Sequence, residues 1–277
     1  MGWEMMVVPF LLAGLGGLLT EKTGQLNIAL EGAMGLGAFT AAALFIATGS
    51  WLLGILGALI SGSLAAWIQS LILQKFKTNV FITGLGFNLL LPALAALLSQ
   101  VFYGTKGSLR IPPMEGQTWA AQSLGILSLV LMMGLWQLLA RTPWGLRLRA
   151  SGSAPALARI RGIPVEKYQM LALVISGGLS ALAGAHLVIR LGAYLSGLSA
   201  GRGWIALVAL YLGARHPLGL FVAALVFAGS EVLSQNLPGY FTVPEAVVLA
   251  LPYLITLGAL VVYSILTRKA QLNRDLK

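Results

Sequence analysis

A succession of apolar runs, most of them close to the twenty or so residues an α-helix needs to cross the ~30 Å hydrocarbon core of a bilayer, leaves this chain few ways to fold. The runs fall at about 3–19, 27–48, 52–73, 80–102, 123–140, 169–189, 203–214, 217–235 and 246–266. Water is absent at that depth, so each backbone N–H and C=O must find its partner inside the segment, which only helices or closed barrels achieve. The predicted fold is therefore all-α: a polytopic transmembrane helix bundle of about nine spans (eight to ten), forming one domain over residues 1–277. The seventh run is short and predicts a broken or partial crossing. With 58% hydrophobic and 9% charged residues, the chain lacks the polar surface of a soluble globule.

The 18 Lys and Arg residues against 8 acids give a net charge of +10. In a soluble protein that excess suggests nucleic acid; here the bases stand at the ends of apolar runs, where they orient helices, and no nucleic-acid partner is expected. Residues 141–168 hold Arg141, Arg147, Arg149, Arg159, Arg161 and Lys167, with Glu166 as the sole acid. Placing that segment in the cytoplasm also puts Lys22, Lys75, Lys77, Arg215, Arg268, Lys269, Arg274 and Lys277 inside. Lys106, Arg110, Arg190 and Arg202 remain outside. The expected topology is N-terminus out and C-terminus in, in a cell (inner) membrane. Glu4 and the lack of basic residues before the first apolar run predict a retained helix, not a signal peptide. Absence of cysteine excludes disulfides and thiolate chemistry.

Polar residues inside the runs are the candidates for function, because a charge at the bilayer centre costs roughly 2.5–3.5 kcal/mol on insertion scales. Asn27 is read as the N-cap of the second span, with Glu31 one turn further on near the cytoplasmic interface. A satisfied carboxylate at a helix start and a pathway or gating role both remain open for Glu31. Asn88, four residues before Pro92, falls near the middle of the fourth span, where a side-chain amide serves either pathway lining or an interhelical hydrogen bond. Pro252 interrupts the last span in the same way without a polar companion. Glu231 lies at the unfavourable end of its helix dipole and so needs a partner, with Arg202 or Arg190 as candidates. Gly54-x-x-Gly57 and Ala181-x-x-Gly184 read as packing faces.

No catalytic constellation emerges. A phosphate-binding G-x-x-x-x-G-K-[ST] loop, an aspartate cluster and a nucleophile–base pair are all missing, and His186 and His216 lack metal-ligand spacing. No catalytic residue, metal or cofactor is therefore assigned, and transport is the expected activity. Within residues 141–168, Ser153 is read as an N-cap and Pro155 as a first-turn residue, followed by a two-turn helix stopped by Gly162 and Pro164. Ala156, Leu157 and Ile160 share one face, with Arg159 and Arg161 on the other side. A helix so short needs a partner, either the bundle, a soluble protein or anionic lipid.

Several stretches carry a resemblance. Thr142-Pro-Trp-Gly-Leu-Arg-Leu-Arg-Ala-Ser-Gly152, Arg161-Gly-Ile-Pro-Val-Glu-Lys-Tyr168 and Ile175-Ser-Gly-Gly-Leu-Ser-Ala-Leu-Ala-Gly-Ala185 resemble the cytoplasmic loop and following helix of bacterial ABC-transporter permeases of the branched-chain amino acid and simple-sugar superfamily. Leu19-Thr-Glu-Lys-Thr-Gly-Gln-Leu-Asn-Ile-Ala-Leu-Glu-Gly32, Gly84-Leu-Gly-Phe-Asn-Leu-Leu90, the stretch from Ala200 to Gly213 and His216-Pro-Leu-Gly219 are similar to its nucleoside-type members. The chain departs from the family's usual Gly-Glu-Asn-Pro at Gly152-Ser-Ala-Pro155, in its arginines at 159 and 161, and in Glu231 where relatives often carry a small residue.

The resemblance implies a complex of two permeases, alike or different, with two ATP-binding cassette subunits and an extracytoplasmic substrate-binding protein. The short helix would then be a coupling helix, with Ser153, Pro155, Leu157, Arg159, Ile160, Arg161 and Gly162 as its contact with the ATPase. Asn27, Glu31, Phe87 and Asn88 would be the translocation-pathway residues. The implied cargo is a nucleoside, a related ring compound such as riboflavin, or a simple sugar. An ion-coupled secondary transporter or channel is the competing expectation, with Glu31 and Glu231 as its coupling acids.

Overall fold

The computed structural model describes residues 4–105, 107–112, 116–236 and 258. The described chain forms ten helices: α1 (Glu4–Lys22), α2 (Leu30–Thr48), α3 (Trp51–Phe76), α4 (Val80–Tyr103), α5 (Gln117–Arg141), α6 (Pro143–Ser153), α7 (Pro155–Ile160), α8 (Val165–Leu191), α9 (Arg202–Leu212) and α10 (Pro217–Asn236). Two three-residue strands, β1 (Ser108–Arg110) and β2 (Ala193–Leu195), pair antiparallel with Leu109 opposite Tyr194. Six of these helices, α2, α3, α4, α5, α8 and α10, are long and apolar enough to cross a membrane. The ninth run, 246–266, with Pro252, and the basic residues Lys106, Arg268, Lys269, Arg274 and Lys277 lie outside the described residues.

The bundle is built around α8 and α1. Their small residues let neighbouring backbones approach, which matters where lipid removes any hydrophobic drive between helices. A Cβ at Gly178 would lie 2.5 Å from the Ser63 hydroxyl of α3, and one at Gly16 of α1 would lie 2.9 Å from the Ser176 backbone of α8. The runs singled out in the sequence do pack: Gly54 meets the Ala41 carbonyl, and Ala181 and Gly184 lie against Gly37 and the Met34 carbonyl of α2. By contrast α3, α4 and α5 present Leu, Ile and Phe outward, including Leu89, Ile60 and Ile126.

Two boundaries differ from expectation. The second span begins at Leu30, not Asn27, because residues 25–29 first run non-helically back from the end of α1. The basic segment 141–168 is mostly helical: Thr142 caps α6 by accepting from Gly145 N at 3.1 Å, with Pro143 at the first helical position. Consequently Ser153 is the last residue of α6 and does not cap α7. Ala154 holds that position, at φ −148° and ψ 67°, without a side-chain cap bond. The predicted stop is found, with Gly162 at φ +77° donating to the Arg159 carbonyl. The seventh crossing is short, as expected: α9 has 11 residues.

A candidate transport junction where two helices start inside the bundle

α9 ends at the level where Arg215 pairs with Glu21, the penultimate residue of α1, at 3.3 Å. Eleven residues rise only about 16 Å, about half of a ~30 Å core, so α9 is too short to cross one alone. The first N–H groups of such a helix have no partner within it. Glu31 of α2 satisfies them. Its Oε1 accepts from Gly201 N at 2.8 Å and its Oε2 from Gly203 N at 2.7 Å. Gly201, at φ +81°, is the N-cap of α9, and a Cβ at Gly203 would sit 2.7 Å from Glu31 Cα, so the contact requires glycine.

The start of α2 is handled the same way. Its N-cap, Ala29, offers no side-chain acceptor. Asn88 of α4 supplies one: its Oδ1 accepts from Gly32 N at 2.7 Å, while its Nδ2 donates to the Ile28 carbonyl at 2.7 Å. Asn27 closes the turn before it. Its Oδ1 accepts from Ala29 N at 3.0 Å, and its Nδ2 donates to Ser176 Oγ of α8 at 3.0 Å. Phe87 packs with Ala29, Ala33 and Leu91 below the first turn of α2. Each helix start is thus capped by a side chain from a different helix, and Glu31 stands where the positive ends of two helix dipoles, α2 and α9, converge.

A second charge pair borders the junction. Arg202, the first residue of α9, pairs with Glu231 of α10 and also donates to the Leu198 and Ser199 carbonyls at 3.0 and 3.3 Å. Both side chains are less than one-fifth exposed. The partner anticipated for Glu231 is therefore found, and the pair ties α10 to the same end of α9.

The structure brings Asn27, Glu31, Phe87 and Asn88 together around the first turn of α2. Asn27, Phe87 and Asn88 are buried there, and Glu31 is half-buried. Asn27 acts through a turn and an interhelical bond rather than as the N-cap. Sequence reasoning missed Ser176, Gly201 and Gly203. The Gly-Arg-Gly start of an apolar run was the available signal for the last two.

Across residues 154–166 the geometry is different. α7 presents Leu157 and Ile160, 51% and 82% exposed, and buries only Ala158. Arg159 donates from Nε to Glu166 Oε1 at 2.8 Å, fastening α7 to the first turn of α8. Arg161 is exposed, with no acidic partner among the described residues.

Comparison with known proteins identifies the class. The family described as the permease component of branched-chain amino acid transport systems matches residues 2–260. The chain is 30% identical over 285 residues to the guanosine ABC transporter permease protein NupQ of Bacillus subtilis (strain 168), covering 91% of this chain and 87% of that one. It is 29% identical over 282 residues to the nucleoside ABC transporter permease protein NupC of Lactococcus lactis subsp. cremoris (strain MG1363), covering 92% and 88%. In fold it is similar to a chain of PsaBC from Streptococcus pneumoniae in complex with Fab, with a TM-score of 0.56, 16% identity, and coverage of 93% and 88%. Six membrane-length helices, a short internal helix start held by a carboxylate and a family match across nearly the whole sequence converge: this chain belongs to the branched-chain amino acid transport permease family, as a membrane transport component and not an enzyme.

Proposed function

We propose that the chain is the transmembrane permease of an ABC importer for nucleosides, driven by ATP hydrolysis on separate subunits. Two permeases, a pair of ATP-binding cassette subunits and an extracytoplasmic substrate-binding protein make up the working complex. The chain crosses the inner membrane about nine times, with its N-terminus outside and its C-terminus in the cytoplasm. The observation that carries this reading is α7, a two-turn helix that turns Leu157 and Ile160 to water beside Arg161. Apolar surface of that kind on a family member asks for a protein groove, and closure of the ATP-bound subunits then moves the helix to which it is fastened. In this reading Pro155 starts the coupling helix and Gly162 ends it, Ser153 and Arg159 set its angle, and Leu157, Ile160 and Arg161 make the contact.

The half-crossing α9 and the capped start of α2 form the element that changes between inward- and outward-facing states. Glu31 is its latch, and Asn27, Phe87 and Asn88 fix the frame against which it moves. The ion-coupled alternative loses support here, since Glu31 and Glu231 are both engaged with fixed partners. Nucleosides are favoured over sugars by the names of NupQ and NupC. Uptake of labelled guanosine, riboflavin and glucose by cells carrying the chain with its ATPase and binding protein tests the reading. Guanosine uptake that requires the ATPase is the expected result; uptake driven by an ion gradient without the ATPase overturns it.

A further inference from the structure

Four carboxylates have described side chains, and each is engaged. Glu31 holds α9, Glu166 meets Arg159, Glu231 meets Arg202, and Glu21 is taken at both oxygens, by Tyr211 Oη at 3.0 Å and Arg215 Nη1 at 3.3 Å. Around Glu21 the positive charge exceeds the negative. Lys22 follows it at the end of α1, one turn past the apolar run. Gly152 of α6 lies so close to this end that a Cβ there would sit 2.8 Å from the Thr23 carbonyl carbon, which sets α6, the helix that carries Arg149, against the end of α1. Partial burial lowers the pKa of the Lys22 ammonium below the ordinary lysine range, and the guanidinium groups of Arg215 and Arg149 lower it further, with only Glu21 opposing. Lys22 thus has two guanidinium groups and a single carboxylate as its charged neighbours, and that carboxylate is already paired with Arg215.

The surroundings say what sort of anion completes the cluster. Tyr211, one turn before Arg215, and Leu218, just after it, are each about two-fifths exposed, and Leu146 is 61% exposed on the α6 side. An aromatic and two leucines beside three cations match the boundary between headgroups and acyl chains, where Tyr and basic residues gather. Guanidinium groups also suit phosphate oxygens, which they engage through two parallel donors.

We propose that Lys22, Arg149 and Arg215 bind the phosphate of an anionic phospholipid between the ends of α1, α6 and α9. The proposal takes from the functional reading only that this end of the bundle meets the cytoplasmic leaflet, and its primary readout, retained lipid, needs neither ATP hydrolysis nor cargo. Native mass spectrometry of the purified full chain, exchanged into mixed micelles of phosphatidylglycerol or cardiolipin with phosphatidylcholine, counts the lipid retained. The expected result is about tenfold enrichment of anionic lipid in the wild type. Arg149→Gln, at a residue with no ion pair among the described residues, lowers that enrichment severalfold without changing Tm. The Lys22→Gln/Arg149→Gln/Arg215→Gln triple variant abolishes it, and Arg161→Gln retains it. Equal retention by the triple variant and the wild type overturns the proposal. So does displacement of the lipid by millimolar inorganic phosphate, which assigns the site to the free ion. Unchanged lipid binding with weakened capture of the ATPase assigns the cluster to protein docking instead.

Discussion

Two carboxylates separated by about half of the chain show how setting decides what an acid is for. Glu166 meets Arg159 with both side chains about half exposed. Glu31 meets no cation among the described residues; it takes two backbone N–H groups at the start of a helix inside the bundle. The first is an ion pair in water, a class worth about 0–1 kcal/mol because solvent screens it and two long side chains lose freedom. The second is partly buried and holds two helix-start donors at once, so removing it leaves donors that solvent replaces poorly, at about 1–3 kcal/mol each. The α7 side is held loosely by exposed contacts, and the junction is held by part-buried bonds to backbone donors.

Substitution at the junction gives the largest expected effect. Glu31→Ala orphans Gly201 N and Gly203 N, destabilises the purified complex by about 2–4 kcal/mol in thermal unfolding, and abolishes uptake. Glu31→Gln sharpens the point. Its single acceptor oxygen satisfies one N–H while its amide group confronts the other, so about half of the stability loss returns and uptake falls at least tenfold. Asn88→Leu follows, removing an acceptor for Gly32 N and a donor for the Ile28 carbonyl, at a cost of about 2 kcal/mol measured in the same way. Such a loss with normal uptake in the surviving protein separates the frame from the latch.

On the coupling side the effects on stability shrink while those on function do not. Leu157→Asp with Ile160→Asp leaves Tm within about 1 °C, since neither side chain is buried, yet abolishes ATP-dependent uptake and binding of the ATPase in pull-down. A large fall in Tm instead means that α7 packs on the chain itself. The smallest effect belongs to Arg159→Ala, about 0.5 kcal/mol and less at high salt. If it equals the loss in Glu31→Ala, the contrast between the two regions fails.

Local signals in the sequence read well. Gly162 marks the end of α7 because a left-handed residue there needs only its own backbone. Glu231 needed a cation on account of its own helix, and Arg202 supplied it. The shortness of the α9 run forecast a broken crossing. What stayed hidden was capping in trans. Asn27 has every local credential of an N-cap, but the backbone reaches helical geometry only three residues later, where Asn88, 56 residues beyond Gly32, provides the acceptor. Likewise nothing near Glu31 points to Gly201, 170 positions on. Ser153 misled for the converse reason: reading the basic stretch as loop overlooked Thr142-Pro143, a cap and first-turn pair that starts α6 and carries helix through Ser153.

Those long separations also set a timetable for biosynthesis. Ser176 leaves the ribosome 149 residues after Asn27, on the order of ten seconds at ~5–20 residues per second. The Gly201 and Gly203 donors for Glu31 come later still. Until α8 and α9 are made, the start of α2 has neither the Ser176 partner of Asn27 nor the backbone donors of Glu31, so these contacts form only after both helices emerge.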